Sequence, residues 1–223
     1  MTDHKKQNNQ NNKNSQQGTS LPSLWGRGRG RGCRIGIFGG SFNPVHNGHV
    51  ELARRLLHAA GLDEVWFVVS PRNPLKRQED LMDDEMRLEM VRLALKNELR
   101  MRASDYEFGM PRPSYMWHTL QSMSADYPDK EFVLIIGADN WENFDRWYEW
   151  RKILDNYRIV VYPRTGSPID AASLPANVTY VDTPLLDVSS TQIRRLIRDG
   201  LPFEHLVPFE VYIKLKNYFK LKD

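Results

Sequence analysis

Cysteine is nearly missing from this chain of 223 residues: Cys33 stands alone. No disulfide framework can therefore form, and a reducing cytoplasm is the expected setting. Beside what reads as the first strand, that thiol is a small apolar residue rather than a reactive one. Long hydrophobic runs are missing too. None approaches the roughly 20 residues that span a bilayer, and the first residues lack the apolar core of a secretory signal, so no membrane partner is expected. Charge of one sign is also scarce. The formal net charge is +3, and residues 1–32, with six cations against Asp3, hold +5 of it, leaving −2 for the remainder. The sequence pI of 8.9 thus belongs to the tail, and no nucleic acid is expected on the folded part.

What is present divides into two unequal parts. In residues 1–32, Asn and Gln come first and Arg27, Arg29 and Arg31 then alternate with glycines. That composition buries too little apolar surface to fold, so a disordered basic tail is expected. Gly-Arg repeats occur in RNA-binding segments, where guanidinium groups stack on bases, which leaves the tail as either an RNA contact or a dispensable extension. Residues 33–223 make one domain, and a hydrophobic content of 40% suffices for one sizeable core.

The organising stretch runs from Arg34 to Val50. Ile35, Ile37 and Phe38 form a short apolar run, Gly39-Gly40-Ser41-Phe42-Asn43-Pro44 a turn, and Val50, Leu52, Ala53, Leu56 and Leu57 the stripe of a helix. A strand, a glycine-rich loop and a helix start in that order make an anion site. The glycines let backbone N–H groups approach, and the helix adds its positive dipole end. His46 and His49 lie at that helix start, where imidazoles can donate to a polyphosphate; half a zinc site, or two ordinary capping histidines, would use the same spacing. No Gly-Lys-Ser/Thr follows, and the spacing is not that of the dinucleotide fingerprint.

Along the chain, apolar runs alternate with amphipathic ones. Gly61 reads as a helix C-cap and Val65–Val69 as a buried strand, completing a right-handed crossover whose ligand side is the carboxyl edge. Arg72 and Lys76 leave that edge on a proline-stiffened loop, aimed at phosphate or merely solvated. A helix follows over Met82–Asn97, a short strand over Leu99–Ser104, a polar turn around Glu107 and Gly109, and a helix over Pro113–Ser124. Glu131–Asp139 is the strongest strand signal; its terminal Asp139 would meet ribose hydroxyls or a cation, or cap a helix. Trp141, Phe144, Trp147, Tyr148 and Trp150 come next, as core or as a platform for a planar ring. Arg158–Tyr162 is another strand leading to Arg164, and Val178–Val181 the last. From Val188 to Ile197, Ser189, Ser190 and Thr191 mark a helix N-terminus with Arg194 one turn on, a second anion site. Pro208–Leu221 closes the chain as an amphipathic helix. The fold class is α/β, a Rossmann-like doubly wound parallel sheet with helices on both faces.

Five motifs, Gly39–His49, Ser70–Lys76, Gly137–Asp139, Phe144–Trp150 and Val188–Arg194, resemble in that order those of the bacterial nicotinate-nucleotide adenylyltransferases of the nucleotidyltransferase superfamily. The likeness extends from about Arg34 to the C-terminus. It implies in-line transfer of the adenylyl group of ATP onto nicotinate mononucleotide, with Mg²⁺ carried on the ATP phosphates and no protein metal site. By the same likeness His46 and His49 hold the phosphates, Gly39, Gly40 and Ser41 line the nucleotide, and Ser189, Ser190, Thr191 and Arg194 take the β- and γ-phosphates. Asp139 contacts adenosine or ribose, Lys76 and Arg164 serve the phosphates, and Trp147 and Tyr148 face the pyridine ring. His46, His49 and Arg194 are the implied catalytic groups. Met116 stands where the family usually has a threonine near the pyridine carboxylate, and His118 where it has an acid, which leaves the strictness of acid-over-amide preference open; the Met116 N–H is a substitute donor.

Other readings are adenylyl transfer to nicotinamide mononucleotide or phosphopantetheine, cytidylyl transfer to an alcohol phosphate, and a non-enzymatic RNA-associated protein acting through the tail. The Trp147-Tyr148 pair favours a planar acceptor, and a zinc hydrolase lacks a third ligand. A homo-oligomer is compatible with the sequence.

Overall fold

Strands that are apolar at every position must be covered on both faces, and the computed structural model, which describes residues 32–71 and 81–221, covers them so. Expectations for residues 1–31 and for Arg72 and Lys76 lie outside the described residues. The strands are β1 (Cys33–Gly40), β2 (Glu64–Val69), β3 (Met101–Ser104), β4 (Lys130–Gly137), β5 (Arg158–Tyr162) and β6 (Val178–Tyr180). They form one sheet in the order β3-β2-β1-β4-β5-β6, parallel throughout. Ile37 pairs with Trp66 on one side and Leu134 on the other. Strand order therefore reverses at β1 and β4, the switch point outside whose carboxyl ends open α/β sheets place their ligand crevice.

The helices are α1 (Asn47–Ala59), α2 (Asp84–Ala94), α3 (Met116–Asp126), α4 (Ala138–Glu142), α5 (Trp150–Asn156), α6 (Ser190–Arg198) and α7 (Phe209–Phe219). Alternating strand residues send Phe38, Phe67, Ile135 and Val160 to one face, under α1, α2, α6 and α7. Ile37, Trp66, Leu134 and Ile159 go to the other, under α3, α4 and α5. Cutting a fully buried residue such as Leu56, Met90 or Leu134 back to alanine costs about 2–5 kcal/mol, so the two cores hold the crevice rigid. Among the described residues no helix is long and apolar enough to cross a membrane.

Boundaries follow local chemistry. Helix α2 starts at Asp84 rather than Met82 because the Asp83 side chain caps it, accepting from the Met86 N–H at 2.7 Å. Gly61 follows α1 with φ +59°, the left-handed cap its position predicts. The short strand begins at Met101, and Leu99 lies fully exposed outside it. Helix α3 begins at Met116, three residues later than its pattern, since Tyr115 is extended and Ser114 is engaged elsewhere. Asp139 lies within α4, not at a strand end. The turn at Glu107 is not a solvated one: the residue is 3% exposed.

Candidate active site

The loop after β1 is held by its carbonyls. Ser41 C=O accepts from Arg87 Nη1 at 2.6 Å, Asn43 C=O from Arg194 Nη1 at 2.9 Å, and Pro44 C=O from Ser190 Oγ at 2.9 Å. Phe42 sits between them at φ +44°, a left-handed conformation costing about 1–3 kcal/mol for a non-glycine residue. Its buried ring repays that strain, meeting Phe38, His49 and Phe67 with centroids 5.7, 5.1 and 5.3 Å apart. The Asn43 side chain adds a further anchor, accepting from the Met82 N–H at 3.1 Å.

His46 is the extended N-cap residue of α1, and its N–H donates to His49 Nδ1 at 3.2 Å. With Nδ1 as acceptor, the His49 ring carries its proton on Nε2. The two imidazoles stack, centroids 3.6 Å apart and planes at 25°. Burial, and then the positive charge of Arg164, push the His46 ring down to about 3, so it is neutral at physiological pH. Its side chain faces the His49 N–H in the capping box of α1, and its Nδ1 is shielded from solvent without a full hydrogen bond.

Gly48 explains why a glycine separates the histidines. A Cβ there would stand 2.6 Å from Val188 Cγ1 and 3.1 Å from His46 Nδ1. Only glycine lets α1 approach the segment that leads into α6. At α6, Ser189 is spent on capping: its Oγ accepts from the Gln192 N–H at 3.1 Å, and the Gln192 side chain accepts from the Ser189 N–H. Ser190 and Arg194 instead reach across to the first loop, and Arg194 Nη2 also lies 3.4 Å from Thr191 Oγ1. The N-terminus of α6 and the loop after β1 are thus joined.

Across the crevice, Asp139 Oδ1 and Arg164 Nε pair at 3.5 Å, both about half exposed, which in solvent stabilises by less than about 1 kcal/mol. They clasp Gly137, where a Cβ would collide with Asp139 Oδ1 and lie 2.8 Å from Arg164 Cγ. Asp139 therefore has the cationic neighbour its position suggested. Burial pushes the adjoining Tyr162 phenol up to about 12.

On the face bearing α3, the Met116 methyl would stand 2.8 Å from a Cβ at Gly39, so this side chain roofs Gly39, while the Phe42 ring covers Gly40. Tyr148 is half exposed and packs on Tyr115 (4.9 Å) and His118 (5.2 Å). Trp147 leans on the buried Phe144 at 5.4 Å, and Trp141 stacks on the same ring at 5.2 Å, so these two tryptophans are partly core.

Arg87 and Glu107 did not stand out from the sequence as site residues. Arg87 is completely buried and donates to Met82 C=O, Ser41 C=O, Ser70 C=O, Pro71 C=O and Asp84 Oδ1. Its spacing was informative: three residues before Met90 and four before Val91, it belongs to the apolar stripe of α2. Glu107 carries no such periodic signal.

Among known proteins, a family model described as cytidylyltransferase-like matches residues 37–196. A probable nicotinate-nucleotide adenylyltransferase of Bacteroides fragilis is 48% identical over 82% of this chain and 90% of its own. One of Bacteroides thetaiotaomicron is 45% identical over 84% and 93%. The fold resembles that of a Plasmodium falciparum nicotinic acid mononucleotide adenylyltransferase solved with NaAD, at TM-score 0.69 and 19% identity, covering 85% of this chain and 98% of that one.

Proposed function

The chain belongs to the cytidylyltransferase-like family and, within it, to the nicotinate-nucleotide adenylyltransferases, and from that premise we infer that it transfers the adenylyl group of ATP to nicotinate mononucleotide, a step of NAD biosynthesis. A phosphate oxygen of the mononucleotide forms the new bond to the α-phosphorus of ATP. The bond from that phosphorus to the β-bridging oxygen breaks, and pyrophosphate leaves with its electron pair, giving nicotinate adenine dinucleotide.

The nucleophile is ionised at neutral pH, so the protein contributes positioning and charge stabilisation. His46 and His49 donate to the triphosphate, with His49 Nε2 nearest the α-phosphate. Gly39, Gly40 and Ser41 line the nucleotide. Ser190, Thr191 and Arg194, with Ser189 shaping the helix start, receive the β- and γ-phosphates. Asp139 meets adenosine or ribose, and Arg164 steers the mononucleotide phosphate. Met116, Trp147 and Tyr148 surround the pyridine ring; Lys76, outside the described residues, is assigned to the same acceptor side.

Donors and cations of this kind suit an anion. Among the described residues no three His, Cys, Asp or Glu side chains gather to hold a metal ion, and the crevice carboxylate Asp139 already pairs with Arg164. In this reading Mg²⁺ would be carried on the ATP phosphates, whose charge it would neutralise.

The observation that supports this most is the pair of bonds from Ser190 and Arg194 to the Pro44 and Asn43 carbonyls, which bring the second cradle against the first. The test is pyrophosphate release from ATP and Mg²⁺ with nicotinate or nicotinamide mononucleotide. Faster turnover with the acid is expected; equal rates, or none with either, would reject the assignment.

A further inference from the structure

Glu107 lies in a short 3-10 turn (Tyr106–Gly109), buried to 3% exposure, and three hydroxyls from three places converge on it. Its Oε2 accepts from Ser70 Oγ at 2.8 Å and Ser114 Oγ at 2.6 Å, and its Oε1 from Thr119 Oγ1 at 2.8 Å. Ser70 directly follows β2, and its N–H donates to Gly40 C=O at 2.9 Å, so this arm is fastened to the glycine pair of the first loop. Ser114 and Thr119 bracket Met116, the first residue of α3. Met116 in turn roofs Gly39, and its neighbour Tyr115 packs on Tyr148.

An apolar side chain would fill the space under α3 without the desolvation that a carboxyl group incurs. What an apolar group lacks is three directional bonds, two to α3 and its lead-in and one to the phosphate-loop edge. We propose that Glu107 is a positioning residue for the acceptor pocket. It fixes the height of Met116 over Gly39 and the seat of Tyr115 against Tyr148, and so the affinity for the mononucleotide, without touching either substrate. This rests on the reading of the Met116–Tyr148 face as the acceptor side.

Glu107→Gln keeps the shape but turns one accepting oxygen into a donor that faces hydroxyls already donating. KM for nicotinate mononucleotide should rise about 5- to 20-fold while KM for ATP stays within about 2-fold, the size expected for losing one or two buried hydrogen bonds. Ser114→Ala should shift the same ratio in the same direction by less, and it serves as the reading should Glu107→Gln fail to fold. Equal rises in both KM values, or a lower Tm with the KM ratio unchanged, would overturn the proposal and leave Glu107 purely structural. Turnover of nicotinate mononucleotide by the unaltered enzyme separates the two claims: its absence removes the acceptor reading and this inference with it, whereas its presence with an unmoved ratio removes this inference alone.

Discussion

Ser190 Oγ donates to Pro44 C=O at 2.9 Å across 146 residues of sequence, and the N-terminus of α6 is thereby seated on the loop that follows β1. Beside it, Arg194 Nη1 reaches Asn43 C=O. The late helix start is consequently fastened to the loop that carries the early imidazole pair, and the proposed function makes the two one receptor for a chain of phosphates.

One Arg194 nitrogen holds the loop, and in the proposed function the guanidinium would also carry charge for the departing pyrophosphate. Arg194→Ala should lower kcat/KM for ATP by about 100-fold or more, on the scale of losing a charged transition-state donor. Ser190→Ala, which removes one neutral bond, should cost about tenfold or less. Steady-state pyrophosphate release at varied ATP gives both values, and equal losses would contradict the division of roles.

His49 accepts from the His46 N–H through Nδ1, and its proposed role is to donate to the α-phosphate. His49→Ala should reduce kcat by more than about 100-fold. Near-normal turnover would remove the residue from the mechanism.

His46 makes a prediction about acid. Because its folded-state proton affinity is pushed down to about 3 from 6.5, the unfolded chain binds the proton over that interval and the folded protein does not. Its contribution to stability is complete above about pH 6.5 and is lost as pH falls towards 3. Tm of the wild type should therefore drop more steeply than that of His46→Asn between pH 6.5 and 4. Parallel curves would mean that His46 is not held neutral by burial.

Gly48 lies in the first turn of a helix, where alanine ordinarily stabilises by about 0.5–1 kcal/mol. Here the sign should reverse, because the added methyl meets Val188 Cγ1 at 2.6 Å and crowds His46. Gly48→Ala should lower Tm and impair turnover together. A higher Tm with normal activity would show that α1 and the approach to α6 are not in the tight contact described.

Arg87 is a buried cation whose acceptors are chiefly backbone carbonyls, at both Ser41 and Ser70. Arg87→Lys cannot reproduce the fork, and several of those carbonyls lose their partner at about 1–3 kcal/mol each. Denaturant unfolding should register a loss of roughly 3 kcal/mol or more. A loss below about 1 kcal/mol would show that water replaces the bonds.

Much of this was legible in the residues themselves. Strands β2, β4 and β5 announce themselves by unbroken apolar runs, and Val133 to Ile136 could hardly be anything else in a sheet covered on both faces. His46, Ser189 and Gly61 carry helix-end chemistry that depends only on near neighbours. The Leu99 strand start failed because its apolar side chain precedes the pairing that begins at Val65–Met101. Glu107 read as a polar turn because nothing within a few residues reveals that Ser70 will lie above it. Side-chain bonds to distant carbonyls, such as Ser190 to Pro44, leave no local period at all and become visible only once the sheet order is known.

The claim on which the rest depends is that the imidazole pair and the α6 N-terminus grip the same triphosphate. A crystal structure of the complex with a non-hydrolysable ATP analogue tests it directly. The account predicts the phosphates lying between His46 and His49 on one side and Ser190, Thr191 and Arg194 on the other, with the His46 Nδ1 or His49 Nε2 atom within hydrogen-bond distance of them. Phosphates that touch only one of those groups, or a nucleotide seated away from the crevice between β1 and β4, would contradict it.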